Sequence, residues 1–365
     1  MSKPSFKTLV FIGRFQPLHS GHVHVMQKAL AICERLVVLV GSSNRSRSAK
    51  NPFSYAERQA MISAALPEDA HVSILPLPDT LYNDRLWVKK VEQRLEQSVG
   101  DGELAVVGHS KDESTYYLES FPDWGFEEIE NFEGLNATDV RETFFRSAEL
   151  PSEGLPQATC QFLQAFKATE DYRALVEEQD YIDRYAEAWS KAPYPPVFVT
   201  VDALVRYGDE CLFIRRGNAP ALGLLAMPGG FLDPDERALD AAIRELREET
   251  CLEVPYETLM AGLMDFRFFD HPSRSVRKRT VTQAFYFDLS NHLDERPCVR
   301  ANDDAAAVTW INVSQVDESD DVLDAPGVDP LAFAEDHFFM LAAFLMRWPA
   351  VNALKFSDDL SDDLI

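Results

Sequence analysis

Gly13-Arg14-Phe15-Gln16-Pro17-Leu18-His19-Ser20-Gly21-His22 is the stretch from which the rest of the chain can be read. An apolar run, Thr8 to Ile12, precedes it and reads as a buried strand. Val23, Met26, Leu30 and Cys33 follow at the spacing of one helical face, and Val37 to Val40 supplies a second strand. Strand, loop, helix and strand make a βαβ unit. Its first loop lies at the carboxyl end of the first strand, where open α/β sheets take up nucleotides. The loop has the chemistry for phosphate. A helix N-terminus offers free N–H groups and a partial positive charge, and Gly21 lets backbone approach closely. His19 and His22 can donate hydrogen bonds, and Arg14 adds a rigid fork of donors.

The chain has 365 residues, which sets two domains as the expectation. Lys and Arg number 35 against 60 Asp and Glu, a net charge of −25. So acidic a chain argues against nucleic acid or an anionic membrane as partner. An anionic substrate must then be met by local positive charge. Cys33, Cys160, Cys211, Cys251 and Cys298 show no CxxC or zinc-ligand spacing, as expected for small buried residues in a reducing compartment. Met1 to Ile12 is too short for a signal peptide and no apolar run reaches spanning length, so the expected location is cytoplasmic. Homo-oligomerisation is left open.

After the second strand, Gly41 to Lys50 carries Arg45, Arg47 and Lys50, and reads either as a solvated loop or as one that faces phosphate. Asp79 sits just past a third strand, Val72 to Leu77, placed to accept from ribose hydroxyls. Trp87 is either a core aromatic or a platform for a cationic ring, with Asn83 beside it as an amide partner. A fourth strand ends at Gly108, followed by His109 to Asp112 at the same sheet edge. Thr138 is expected to cap a helix that carries Arg141 in its first turn, an arrangement suited to a triphosphate. Ala192-Pro193-Tyr194-Pro195-Pro196 breaks any helix, and the boundary is placed near residue 190.

In the second half, Glu245, Glu248 and Glu249 share one helical face, and Leu239, Ala242, Ile243 and Leu246 share a different, apolar one. These carboxylates suit a solvated surface or a divalent cation, Mg2+ or Mn2+, with Arg244 able to hold a glutamate in place. Asp303 and Asp304 are further acids before the Val308 to Ile311 strand. The patch from Arg274 to Arg279 is either a surface loop or an anion contact, and His337 reads as structural. Ser357 to Ile365 reads as a frayed acidic tail.

The opening stretch resembles the HxGH nucleotidyltransferases, in the form found in archaeal-type nicotinamide mononucleotide adenylyltransferases. The likeness continues through Asn51-Pro52-Phe53, Glu57 and Arg58. Leu135 to Arg141 resembles the superfamily's second signature; Leu135 and Asn136 depart from it, while Thr138 and Arg141 match. Gly230 to Leu252 is similar to the Nudix box, with Cys251 in place of the closing glycine. The helix would end there in a left-handed turn at a cost of about 1 kcal/mol. Together the halves resemble bifunctional bacterial enzymes of both kinds.

The resemblance implies a Rossmann-like parallel-sheet nucleotidyltransferase domain over 1–190 and an α/β/α-sandwich Nudix domain over 191–365. It implies transfer of AMP from ATP to nicotinamide mononucleotide, giving NAD, and hydrolysis of ADP-ribose to AMP and ribose 5-phosphate. Arg14, His19, His22 and Arg141 would stabilise the triphosphate, while Gly13, Phe15, Gly21, Arg47, Asn51, Asp79, Asn83, Trp87, Gly108 and Thr138 would contact substrate. Glu245, Glu248, Glu249 and the Gly229 carbonyl would hold metal; Arg244, Glu245 and Glu249 would serve catalysis, and Arg274 the substrate. Alternatives are a pantetheine phosphate acceptor in the first domain, disfavoured by Trp87, and in the second a non-catalytic ADP-ribose sensor or another nucleoside diphosphate substrate.

Overall fold

A computed structural model describes residues 6–99, 104–108, 121, 124–129, 136–150, 153–314 and 328–346. His109 to Asp112, Leu135 and the tail from Ser357 lie outside them. The chain divides into two compact units, 1–79 with 85–183, and 80–84 with 184–365. The break in sequence thus falls just before the expected boundary, and the short segment Thr80 to Asp84 clusters with the second unit.

The first unit is a parallel sheet in the order β3-β2-β1-β4-β5, with β1 Phe6–Gly13, β2 Cys33–Val40, β3 Val72–Pro76, β4 Leu104–Gly108 and β5 Gly125–Glu128. Parallel strands are covered on both faces, which explains their near-continuous apolar runs. Alternate residues feed two cores. Leu9, Leu36, Val38 and Val40 pack with Met26 and Ala29 of α1 (Ser20–Ile32) and with Phe144 and Phe145. Val10, Val37 and Leu39 pack on the other face with Val91 and Leu95 of α3 (Asp84–Val99). α2 (Tyr55–Ala65) opens on a capping box in which Ser54 and Glu57 satisfy each other's backbone N–H groups.

α4 (Ala137–Ser147) corrects one expectation. Its cap is Asn136, whose Oδ1 accepts the Thr138 N–H at 2.9 Å, and Thr138 lies one position inside the first turn. Asn and Thr are both good caps, and sequence alone does not separate neighbours. The helices α5 (Gln157–Phe166) and α6 (Glu170–Ala188) follow; Leu163, Phe166 and Leu175 complete the first core.

The second unit is built on a mixed sheet in the order β10-β11-β6-β7-β12, with β8 paired to β7 and β9 to β6. Its strands are β6 Phe198–Tyr207, β7 Glu210–Arg216, β8 Leu225–Ala226, β9 Gly229–Phe231, β10 Leu263–Phe269, β11 Thr280–Asp288 and β12 Ala305–Asn312. α7 (Ala238–Thr250) buries Ala241, Ala242, Ile243 and Leu246 against Val201, Ala203, Val205, Phe285 and Phe287. It ends at Cys251 with φ 49°, the left-handed turn expected of that position. The helices α8 (Tyr256–Ala261) and α9 (His337–Leu345) complete the unit. Among the described residues no helix is long and apolar enough to cross a membrane.

Candidate active sites

The first site is built at the carboxyl ends of β1 and β2, which Gly41 N–H ties together by donating to the Gly13 carbonyl at 2.8 Å. The turn leaves β1 through Phe15, held at φ 52° and buried. A side chain at Gly13 would place its Cβ 2.7 Å from the Phe15 ring, so glycine is required there by space. The Phe15 ring in turn meets His22 edge-on at 4.9 Å.

His19 occupies the N-cap of α1, and the His19 and His22 rings stack with centroids 3.6 Å apart. His22 Nδ1 accepts the His19 backbone N–H at 3.3 Å. The neutral His22 ring therefore carries its proton on Nε2, as a donor. Gly21 is buried between the two histidines in sequence.

Cations converge on this turn. Arg141 is buried and donates to the Gln16 carbonyl at 2.6 Å and to Thr138 Oγ1 at 3.0 Å. Burial, and then the positive charge of Arg14, lowers its pKa to about 10. Arg14 itself is exposed. Burial pulls Lys50 down to about 8, helped by Arg14, Arg45 and Arg141 and opposed by Asp79. A cluster of like charges that depresses a lysine is a site prepared for an anion.

Beneath it, Arg58 donates to the carbonyls of Arg14, Gly41 and Ser42, at 2.8, 2.6 and 3.3 Å, and so pins both strand ends. The sequence marks Lys50 only as part of a loop that could face phosphate, and assigns Arg58 no role in the site. Arg58 matched a motif, but nothing in spacing marks a buried arginine as a brace.

Other expected residues divide. Arg47, expected to contact substrate, is engaged within the protein: its guanidinium meets Glu57 at 2.9 and 3.2 Å, Asp171 at 3.0 Å and the Pro52 carbonyl. Asn51 is buried, with Oδ1 lacking a hydrogen-bond partner among the described residues. Asp79 is half-buried and exchanges backbone hydrogen bonds with the Asn44 side chain at 2.7 and 3.0 Å. Trp87 is half-buried and packs against Phe121 and the core on its side of the sheet. Gly108 ends β4, where among the described residues a Cβ would meet the Phe126 ring at 3.9 Å. Asn83 lies in the segment that clusters with the second unit, its carbonyl accepting from Thr80 Oγ1 at 2.9 Å.

The second site lies where β9 passes the face of α7. Gly229 N–H donates to Glu249 Oε2 at 2.9 Å. A Cβ on Gly229 would stand 2.2 Å from the Val201 carbonyl oxygen, and one on Gly230 2.4 Å from Glu245 Oε1. Arg244 binds Glu236 through two bonds, 3.0 and 2.6 Å, and donates to Glu245 and Glu248 at 2.9 Å each. Glu249 is buried, and desolvation pushes its carboxyl up to about 8, with Glu245 and Asp202 adding to the shift. Glu245 is raised too, by burial first and by Glu248 and Asp303, against the pull of Arg244.

Among the described residues no three acidic, histidine or cysteine side chains stand close enough to form a ready metal cage. The donor chemistry still fits a hard divalent cation. The carboxylates are all oxygen donors, and the two nearest the glycines resist ionisation in the absence of a counter-charge.

A cavity opens beside these glutamates, lined by Arg216, Glu249, Asp304, Arg277, Phe231 and His337 among others. Arg277 lies over the Phe231 ring at 5.8 Å. Arg274, expected to serve the substrate, also borders the cavity, and its guanidinium is paired within the protein. It is 4% exposed and bound to Asp336 at 2.9 and 3.1 Å, so its charge is neutralised by a buried carboxylate. Asp336 also accepts from the Tyr82 hydroxyl at 2.6 Å. His337, read as structural, accepts the Met227 N–H at 3.2 Å and lines the cavity as well. Arg216 is a cationic cavity residue that the sequence did not single out, while Arg277 belongs to the patch read there as a surface loop or an anion contact.

Comparison with known proteins covers both units. Residues 10–142 match the cytidylyltransferase-like family and residues 196–330 the NUDIX domain. A nicotinamide/nicotinic acid mononucleotide adenylyltransferase of Acinetobacter baylyi is 37% identical over 47% of this chain and 93% of its own length. A nicotinamide-nucleotide adenylyltransferase of Pyrococcus horikoshii is 27% identical over 50% of this chain and 97% of its own. A bifunctional NMN adenylyltransferase/ADP ribose pyrophosphatase from Francisella tularensis is similar over 94% of this chain and 99% of its own, at 34% identity and TM-score 0.86. A structure of that enzyme with AMP and a manganese ion matches with TM-score 0.85 and 33% identity.

Proposed function

Because the chain belongs to the family of bifunctional NMN adenylyltransferase/ADP ribose pyrophosphatases, we propose that its first unit makes NAD from ATP and nicotinamide mononucleotide and its second hydrolyses ADP-ribose. The observation that carries this reading is the match of 94% of the chain to one two-activity structure.

In the first reaction the 5′-phosphate of the mononucleotide attacks the α-phosphorus of ATP; the α–β bridging bond breaks and pyrophosphate leaves. The attacking phosphate is already ionised, so no protein base is needed, and the work is positioning and charge stabilisation. Arg14, Lys50 and Arg141 supply positive charge, with His19 and the Nε2–H of His22 as hydrogen-bond donors at the start of α1. Asp79 is assigned to ribose hydroxyls, Asn51 Oδ1 to a ligand donor, and Trp87 to the nicotinamide ring.

In the second unit Glu245, Glu248, Glu249 and the Gly229 carbonyl would hold Mg2+ or Mn2+. When bound, the metal neutralises the diphosphate and activates the attacking water. Arg244 aims Glu245 and Glu248 from one side, and the Gly229 N–H fixes Glu249. Arg216 and Arg277 face the substrate's negative charge from the cavity wall. A cytoplasmic location fits both substrates.

The test is one preparation of the full chain, assayed with magnesium in two tubes. Nicotinamide mononucleotide plus ATP should give NAD, and ADP-ribose should give AMP and ribose 5-phosphate. Absence of NAD from folded protein would refute the first assignment. NAD synthesis with intact ADP-ribose would refute the second and leave a binding-only role or another diphosphate substrate.

A further inference from the structure

The two edges of the second unit's sheet are unlike. β12 carries no exposed large apolar side chain, whereas β10 carries Met264, Phe266 and Phe268 at 62%, 58% and 55% exposure. Among the described residues β10 pairs only with β11, so its outer row of backbone N–H and C=O groups is an open edge. Phe266 and Phe268 stand on one face, in register with Phe285 and Gln283 of β11. On the other face Arg267 donates to Asp265 at 2.8 Å and lies over the Phe344 ring at 5.5 Å. Exposed apolar edges promote strand pairing unless charge or irregularity blunts them. β10 has one irregularity, a register shift between Leu263 and Asp265, and it leaves Asp265 to Phe269 regular.

We infer that β10 is a homodimer interface, at which the strands of two copies of this chain pair antiparallel about a twofold axis through Phe266. The strand's own sequence, Leu-Met-Asp-Phe-Arg-Phe-Phe, selects this register. With Phe266 opposite itself, Asp265 faces the partner's Arg267 on one face of the sheet, and Arg267 faces the partner's Asp265. On the other face Phe266 meets the partner's Phe266, flanked by Phe268. Sliding the axis to Asp265 would oppose two aspartates, and sliding it to Arg267 would oppose two arginines. Either is disfavoured, because like charges directly opposite each other repel.

Axes between residues would set inward- and outward-facing side chains against each other. The paired charges sum to zero along β10 in a chain of net charge −25, so this edge escapes the self-repulsion carried by the rest of the surface. An isologous contact of this kind closes on itself and stops at two copies.

The test is sedimentation velocity of the full chain over about a hundredfold range of concentration. The wild type should pass from monomer to dimer. Phe266→Glu should raise the dissociation constant more than about tenfold by setting two charges at the axis, and Asp265→Arg should raise it several-fold. The double variant Asp265→Arg with Arg267→Asp should recover dimerisation, because opposite charges again face each other. None of these residues belongs to either proposed site, so retained NAD synthesis and an unchanged melting profile show that the variants fold. A chain that stays monomeric throughout overturns the inference. So does a dimer indifferent to both single variants, or a double variant no better than Asp265→Arg alone.

Discussion

Both units handle nucleotides joined through phosphate, yet they meet that negative charge in opposite ways. The first gathers Arg14, Arg45, Lys50 and Arg141, so that Lys50 is drawn down to about 8. The second gathers Glu245, Glu248, Glu249 and Asp303, so that Glu249 is pushed up to about 8. Burial is the leading cause in both, and like-charged neighbours add to it. Each site is left electrostatically unsatisfied. The first is relieved by the anionic substrate itself, and the second needs a cation before the anion can come. In a chain of net charge −25, only the first site has gone against the bulk composition.

The largest break in this symmetry should come from Glu249→Gln. Loss of the buried carboxyl group that accepts from the Gly229 N–H is expected to reduce ADP-ribose hydrolysis about a thousandfold or more, with NAD synthesis unchanged. Steady-state rates of both reactions on one preparation decide it. His19→Ala should do the converse, lowering NAD synthesis about a hundredfold through lost donors to the phosphates and sparing hydrolysis. Arg141→Lys keeps the charge but loses the fork that joins Gln16 to Thr138. About a tenfold fall in NAD synthesis is expected, measured as kcat/KM for ATP.

The pH dependence sharpens the comparison. An ordinary glutamate titrates at about 4.3. Between that value and about 8, folded metal-free protein keeps a proton on Glu249 that the unfolded chain has lost. This stability is full at low pH and fades as pH rises through about 8. In chelator the unfolding temperature should therefore fall from about pH 5 to about pH 8 and level off above, and added Mn2+ should flatten the slope. The first site should respond with the opposite sign of charge. KM for ATP should rise above about pH 8 as Lys50 loses its proton, and Lys50→Met should remove that limb. The smallest effect should be Cys251→Gly, which relieves the φ of 49° at the end of α7. A gain of about 1 kcal/mol, or roughly 2–4 °C in calorimetry, is expected.

The scaffold was more legible in the sequence than the wiring of the sites. β1, α1 and β2 follow from two continuous apolar runs with a turn and a period-3.6 run between them. The face of α7 follows from the spacing of its acids and apolar residues. What sequence could not separate was the use of individual arginines, since all carry the same donors. Arg47 is paired with Glu57 and Asp171, and Arg274 with Asp336, although Arg274 lines the cavity together with Arg216 and Arg277. Arg58 shows the same limit from the other side, for its importance lies in three carbonyls brought together only by the parallel sheet.

The crowding at Gly229 and Gly230 adds a failure mode that charge does not describe. One added methyl at Gly229 would collide with the Val201 carbonyl oxygen, and one at Gly230 with the Glu245 carboxylate. A relative bearing alanine at either position would keep every acid of the helix and still hold them out of place. Among descendants of this chain, the width of a hydrogen atom at these two positions would mark the line between a working pyrophosphatase and a silent copy, and a reader counting glutamates would pass over it.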